Sequence, residues 1–170
     1  MSEPRWLDQA EQRTWLAFLA TTQLLDEALD RQLQRDAGMP HAYYRILVAL
    51  SFAPERTMRM SDLAAVSQAS QSRLSHAVNR LEDSGWVRRE KDANDKRVTH
   101  ATLTEKGLQV LASTAPGHVE AVRQNLFDLL SAEQIRQLWS ICESVLPKLI
   151  DGTSHRIFPA MMLGEQEDQP

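Results

Sequence analysis

Asp95-Lys96-Arg97-Val98-Thr99-His100-Ala101-Thr102-Leu103-Thr104-Glu105-Lys106-Gly107 is the stretch whose reading decides the fold. It passes from a charged turn into a β-prone run and then into a helix start, with Thr104 placed to cap the free amides of the first turn. Just upstream, Trp86-Val87-Arg88-Arg89-Glu90 is a second β-prone run, and residues 91–97 between the two are rich in Asp and Asn. Two strands around a short polar turn predict a hairpin. Lying between helical patterns on both sides, that hairpin reads as a wing.

Working outward toward the N-terminus, Ser61-Asp62-Leu63-Ala64-Ala65-Val66 opens like a short helix with Ser61 as its cap. Ser67-Gln68-Ala69 is a polar break. A second helix then runs from a cap at Ser70 to Ser84, where Gly85 ends it. Leu74, Val78 and Leu81 form its apolar stripe, with Ala77 beside it. The opposite face carries Gln71, Ser72, Arg73, Ser75, His76, Asn79 and Arg80. Four of these seven are uncharged hydrogen-bonding residues, where a merely solvated face would favour Glu and Lys for their helix propensity. Such side chains reach base edges and phosphates. The order helix, turn, helix, winged hairpin predicts a DNA-binding lobe, although a helix pair alone also fits a bland polar face.

The rest of the chain reads as helical scaffold. A long first helix spans about 6–36, with Trp15, Phe18, Leu25 and Leu29 on one stripe, and Gly38 and Pro40 break it. A second spans about 41–52, stopped by Pro54, and Met58-Arg59-Met60 is a candidate edge strand. Beyond Thr104 a helical pattern continues, but Pro116-Gly117 falls inside it and predicts a kink or break. Val119, Val122, Leu126, Phe127 and Leu130 carry the pattern on, and a final helix starts at Ser131 and reaches Leu149. Together these helices present more apolar stripe than one small lobe can bury, which predicts a homodimer. The last segment, 151–170, reads as a poorly ordered tail or an arm over the partner, Ile157, Phe158, Met161, Met162 and Leu163 favouring docking. The expected division is thus one domain over 1–170: dimerisation helices at 1–37 and 108–150, a winged lobe at 41–107, and the tail.

Composition bounds the function classes. The chain has 170 residues, 42% hydrophobic and 25% charged, as a globular domain should. It lacks a run of about 18 apolar residues and a basic leader, and its single cysteine, Cys142, has no internal disulfide partner, so the expected setting is cytoplasmic with no membrane role. A net charge of −4 argues against a nucleic-acid partner until its distribution is considered. Between Arg45 and Lys106 there are 11 Lys and Arg against 8 Asp and Glu, leaving 8 against 15 elsewhere. The basic charge is local to the presumed reader.

At these residues the chain resembles the MarR family of bacterial winged-helix regulators, with an actinobacterial look. The resemblance rests on Val78-x-Arg80-Leu81-Glu82-x-x-Gly85-Trp86-Val87, then Asp95-x-Arg97, then Leu103-Thr104-x-x-Gly107. It implies a mainly α fold with a small β-wing, long N- and C-terminal helices interlocked in a homodimer, and two lobes on a near-palindromic operator in double-stranded DNA, usually to repress transcription. By position it assigns base and phosphate contacts to Ser70, Gln71, Ser72, Arg73 and His76, with Arg80 on the same helix, and a minor-groove contact to Arg97 beside Lys96. Asp95 cannot meet a phosphate; it is expected to fix the turn or hold an arginine. The resemblance also suggests a cleft for a small aromatic or phenolic ligand, lined by Trp15, His41 and Tyr44, against which ordinary core packing of those aromatics stands as the commoner fate.

Other chemistry finds no pattern. The five His at 41, 76, 100, 118 and 155 never pair at metal-ligand spacing with one another or with Cys142, so neither metal nor cofactor is expected. Cys142 on an apolar stripe reads as an inert buried thiol. With no nucleophile elbow, phosphate loop or paired carboxylates, the chain is not expected to be an enzyme. The alternatives to a DNA-binding regulator are a winged-helix protein-interaction module and a ligand-binding protein without DNA binding.

Overall fold

Asp8 opens the longest helix by a reciprocal cap: its carboxylate accepts the Glu11 amide at 2.8 Å, and the Glu11 carboxylate accepts the Asp8 amide at 2.9 Å. This box fixes the start of α1 (Gln9–Ala37) a little later than the apolar pattern from Trp6 predicts. Gly38 ends it in the left-handed region at φ 62°, its amide reaching the Gln34 carbonyl at 3.2 Å. The chain then turns into α2 (His41–Phe52). Pro40 supplies no side-chain cap there, and Asp30 of α1 does so instead, accepting the His41 amide at 2.8 Å. The computed structural model describes residues 4–67 and 70–149; the expected tail at 151–170, and Gln68 and Ala69 of the polar break, lie outside the described residues.

A tight turn at Pro54–Arg56 leads to β1 (Thr57–Arg59), one residue earlier than the expected edge strand, and directly to α3 (Met60–Ser67). Ser61 is therefore inside the first turn rather than its cap, and its hydroxyl bonds the Asp62 carboxylate at 3.1 Å. Next come α4 (Gln71–Asp83), β2 (Val87–Lys91), β3 (Thr99–Leu103), α5 (Glu105–Asn125) and α6 (Ala132–Leu149). The sheet order is β1-β3-β2, antiparallel throughout, with Met58 opposite Ala101 and Val87 opposite Leu103. All four of those residues are buried, so the sheet lays one face on the helices. The core beneath it joins Leu33 and Met39 to Ile46, Leu47, Leu50, Leu63, Leu74, Val78 and Leu81.

Of the kink or break expected at Pro116-Gly117, the break is absent. α5 runs unbroken through Pro116, which is exposed, and the carbonyl four residues back that loses its partner belongs to Ala112, also exposed. Water satisfies a carbonyl on that side, so the missing bond is tolerated. The break comes instead at Leu126, with backbone angles of −139° and −69°, followed by a single tight turn at Phe127–Leu129. An Arg123–Asp128 ion pair at 2.8 Å spans this corner. α6 then begins with a second reciprocal cap, Gln134 amide to Ser131 hydroxyl at 3.2 Å and Ser131 amide to the Gln134 side chain at 2.9 Å.

Among the described residues nothing covers the apolar faces of the terminal helices. α6 buries none of its residues and has only sparse contacts with any other described element, while Trp139, Ile141, Val145 and Leu149 are exposed. In α1 the only buried residues are Leu29, Gln32 and Leu33, and Trp15, Leu16, Phe18, Leu19 and Leu24 face outward. No described helix is long and apolar enough to cross a membrane.

Candidate nucleic-acid interface

The second helix of the pair, α4, is held rigidly at both ends. Ser70 caps it, its hydroxyl oxygen accepting the Arg73 amide at 3.3 Å. At the other end Gly85 sits at φ 74°, and two bonds close the exit: Gly85 amide to Glu82 carbonyl at 2.8 Å and Trp86 amide to Leu81 carbonyl at 2.9 Å. That pairing is the Schellman arrangement, which needs a left-handed residue and so a glycine. Leu74, Ala77, Val78 and Leu81 are buried, leaving Gln71, Ser72, Arg73, Ser75, His76, Asn79 and Arg80 exposed along the outer face. Glu82 ties the helix to the wing: its carboxylate accepts the Arg89 amide at 3.1 Å and Arg89 Nε at 2.8 Å, which holds the Glu82 carboxyl below the usual range.

The wing tip is organised by two aspartates. Asp92 Oδ1 accepts the amides of Asn94 at 2.8 Å and Asp95 at 3.1 Å, and these bonds depress its carboxyl. Asp95 then grips Arg97 in a fork, with Nε on Oδ1 and a terminal nitrogen on Oδ2, both at 3.0 Å, while Oδ1 also accepts the Arg97 amide at 3.0 Å. The Arg97 side chain remains 90% exposed. A long, flexible cation is thus held in one orientation while exposed to solvent, which reduces the entropy lost in any contact it makes. Lys96 is exposed beside it.

The Leu103 to Gly107 junction locks the wing to the scaffold, and each of its polar members has a task. Thr104 caps α5 by accepting the Gly107 amide at 3.0 Å, and its hydroxyl donates to the Gly85 carbonyl at 2.8 Å. Its own amide donates to the Trp86 carbonyl at 3.0 Å. Glu105 pairs with Arg56 at 3.1 Å, and Lys106 donates to the Ser84 carbonyl at 2.8 Å, just past the end of α4. A Cβ on Gly107 would stand 2.2 Å from the Trp86 carbonyl oxygen, so only glycine fits this crossing. The end of α4, the wing and α5 meet in this one knot.

Between the start of α4 and the wing lies an open groove of about 410 Å³. Gln71, Ser75 and Arg97 line it from the two elements, with Arg59, Arg89 and Thr99 between them. Ser70, Ser72, Arg73 and His76 are exposed on the same helix without lining the groove, and Arg80 stands apart, lining a different cleft with Tyr43 and Trp86. The three aromatics proposed for a ligand cleft are also divided. His41 and Tyr44 come together around His118 of α5, with ring centroids 5.4 Å and 4.4 Å away, and His41 Nδ1 lies 2.9 Å from Asp26. Trp15 stacks on Phe18 instead, and it precedes Asp26 by 11 positions on α1, roughly 16 Å along the axis.

His118 is the member of that cluster that periodicity did not single out. Burial, and secondarily the charge of His41, lowers its pKa to about 4, and its Nδ1 is buried without a hydrogen-bond partner. Its position one residue past Pro116-Gly117, where a break was expected, concealed it. Arg59 and Arg89 were missed because they lie outside both the recognition helix and the wing tip; strand alternation alone does not say which arginine faces a groove. Among the described residues no group of three His, Cys, Asp or Glu side chains is placed to hold a metal.

Comparison with known proteins now bears on this arrangement. A model of the MarR family matches residues 37–98. Sco3205 from Streptomyces coelicolor, a MarR family transcriptional regulator solved in complex with DNA, superposes with a TM-score of 0.82 at 51% identity, over 89% of this chain and 95% of that one. The chain belongs to the MarR family. AbsC, another regulator of the family from the same organism, is 40% identical with a TM-score of 0.77, over 86% of this chain and 98% of that one. The transcriptional repressor MprA of Escherichia coli is 28% identical over 112 residues, which span 66% of this chain and 63% of that repressor. Membership makes α3, α4 and the clamped wing a winged helix-turn-helix of the MarR type, on a mainly helical fold with a small three-stranded wing.

Proposed function

We propose that this MarR protein is a homodimeric repressor that binds a near-palindromic operator and is released by a small aromatic or phenolic ligand. The observation that carries the reading is the groove shared by α4 and the wing, where hydrogen-bonding side chains of the helix and the forked Arg97 face the same space. In this reading Gln71, Ser72, Arg73 and His76 enter the major groove, Ser70 and Lys96 meet phosphates, and Arg97 enters the adjacent minor groove. Arg80 contributes only at the rim, given its place beside Tyr43 and Trp86. The exposed stripes of α1 and α6 support the dimer, since apolar faces of that length find no partner among the described residues. Two lobes must then match half-sites roughly 34 to 36 Å apart, so any change in lobe spacing weakens binding.

The ligand would be taken at the His41, Tyr44 and His118 cluster, which joins α2 of the lobe to α5 of the scaffold. The three rings pack in direct contact, so a flat ligand ring must part them, and His118 Nδ1, without a hydrogen-bond partner among the described residues, suits a hydroxyl. A gel shift against the DNA upstream of the protein's own gene, with salt varied, tests the reading. A regulator binds a defined fragment, weakens steeply as salt rises, and loses affinity for every operator in Arg97→Ala. A protein-interaction or ligand-binding module shows no specific shift, and the substitution leaves its activity untouched.

A further inference from the structure

Arg59 lies on the edge strand β1, exposed, on the wall of the groove between α4 and the wing. The two other arginines of that groove are already engaged: Arg89 by Glu82 and Arg97 by Asp95. Among the described residues the Arg59 side chain has no hydrogen bond or ion pair, although its charge reaches both wing aspartates and helps to hold their carboxyls down. β1 pairs with β3 through Arg59 opposite His100, so the backbone beneath this cation is fixed by the sheet.

Resting on the DNA-binding reading above, a geometric consequence follows from the duplex itself. In B-DNA a major groove and its neighbouring minor groove are separated by one sugar-phosphate strand. A protein that puts a helix into the first and a wing into the second must let that strand pass between the two elements. The space between them here is the groove whose wall carries Arg59. We propose that Arg59 is the phosphate contact for the strand that crosses between recognition helix and wing. It neutralises that phosphate and offsets the two carboxylates, Asp92 and Asp95, that the wing brings near the backbone. Since a phosphate carries no sequence information, Arg59 sets affinity and register and not base preference.

The test is a salt titration of binding by fluorescence anisotropy. Wild type, Arg59→Ala and Arg59→Lys are each titrated against an operator duplex recovered by in vitro selection and against a random-sequence duplex. Neutralising one phosphate contributes about 0.9 to the slope of log K against log salt. Arg59→Ala is expected to lower the slope by about that amount on both duplexes. It should weaken both by a similar factor, several-fold at about 0.1 M salt, and leave selected sequence and thermal midpoint unchanged. Arg59→Lys, which keeps the charge, restores the slope even if the alanine variant proves poorly folded. An unchanged slope in a folded Arg59→Ala protein, or a loss confined to the operator duplex, overturns the assignment. Failure of wild type to bind any duplex would instead sink the DNA-binding reading.

Discussion

Replacing Gly107 with alanine should cost stability out of proportion to one methyl group. The added Cβ would stand 2.2 Å from the Trp86 carbonyl oxygen and 2.7 Å from Leu103 Cδ1, against a normal approach of at least 3 Å. One element must move by roughly 1 Å, and neither moves freely. The Trp86 carbonyl accepts the Thr104 amide at 3.0 Å, the Thr104 hydroxyl proton being directed mainly to the Gly85 carbonyl at 2.8 Å, and Thr104 is the cap of α5. Losing the amide bond costs about 1 kcal/mol, and forced overpacking adds about 1 to 3 kcal/mol. The better helix propensity of alanine returns about 1 kcal/mol. The balance is a loss of about 1 to 3 kcal/mol, which in a chain of this size lowers the thermal midpoint by roughly 3 to 12 °C. Circular dichroism melts at one fixed protomer concentration measure it. Gly117→Ala, in the same helix as Gly107, is the internal control: its Cβ would lie 3.4 Å from the end of the Gln32 side chain on α1, so the midpoint should hold or rise. A Gly107→Ala protein melting within about 2 °C of wild type would refute the knot as described.

Arg73→Ala should weaken the preferred operator by about 1 to 3 kcal/mol while relaxing preference at one base position, read by competition gel shifts with point-mutated duplexes. Acidification should expose His118: its pKa near 4 lies below the unfolded value, so from about pH 6.5 down to 4 the unfolded chain takes up a proton that the folded one refuses. Stability falls with pH across that window by roughly 1 to 3 kcal/mol on its account, and His118→Phe should flatten this part of a urea-unfolding pH series relative to wild type. Placing glutamates at Trp139 and Val145 on the exposed stripe of α6 should convert the dimer to a monomer in light scattering, with operator affinity lost in parallel.

Most of the reading lobe was legible because its signals are local. Ser70 and Gly85 bracket α4 through backbone chemistry that sequence states directly, and the strands on either side of residues 91–97 declare themselves by composition. Pro116 left a kink and a break both open for a physical reason: proline forbids one hydrogen bond, but whether the helix breaks depends on whether the freed carbonyl meets water, a property of the packed surface. The end of α5 at Leu126 left no glycine or proline to announce it. The resemblance grouped Trp15 with His41 and Tyr44, and within one protomer the rise of α1 sets it about 16 Å from the Asp26 that His41 meets, a separation that sequence spacing alone does not weigh. His118 and Arg59 could be found only once α5 lay against α2 and β1 against β3, since each takes its significance from a neighbour far along the chain.

The central claim is that two such lobes read a two-fold DNA site, and in vitro selection from a random duplex library tests it most directly. The expected result is enrichment of an inverted repeat whose half-site centres lie about one duplex turn apart, roughly 10 to 10.5 base pairs, by wild type and not by Arg97→Ala. Enrichment of no sequence, or of an isolated half-site bound by one protomer, would contradict it.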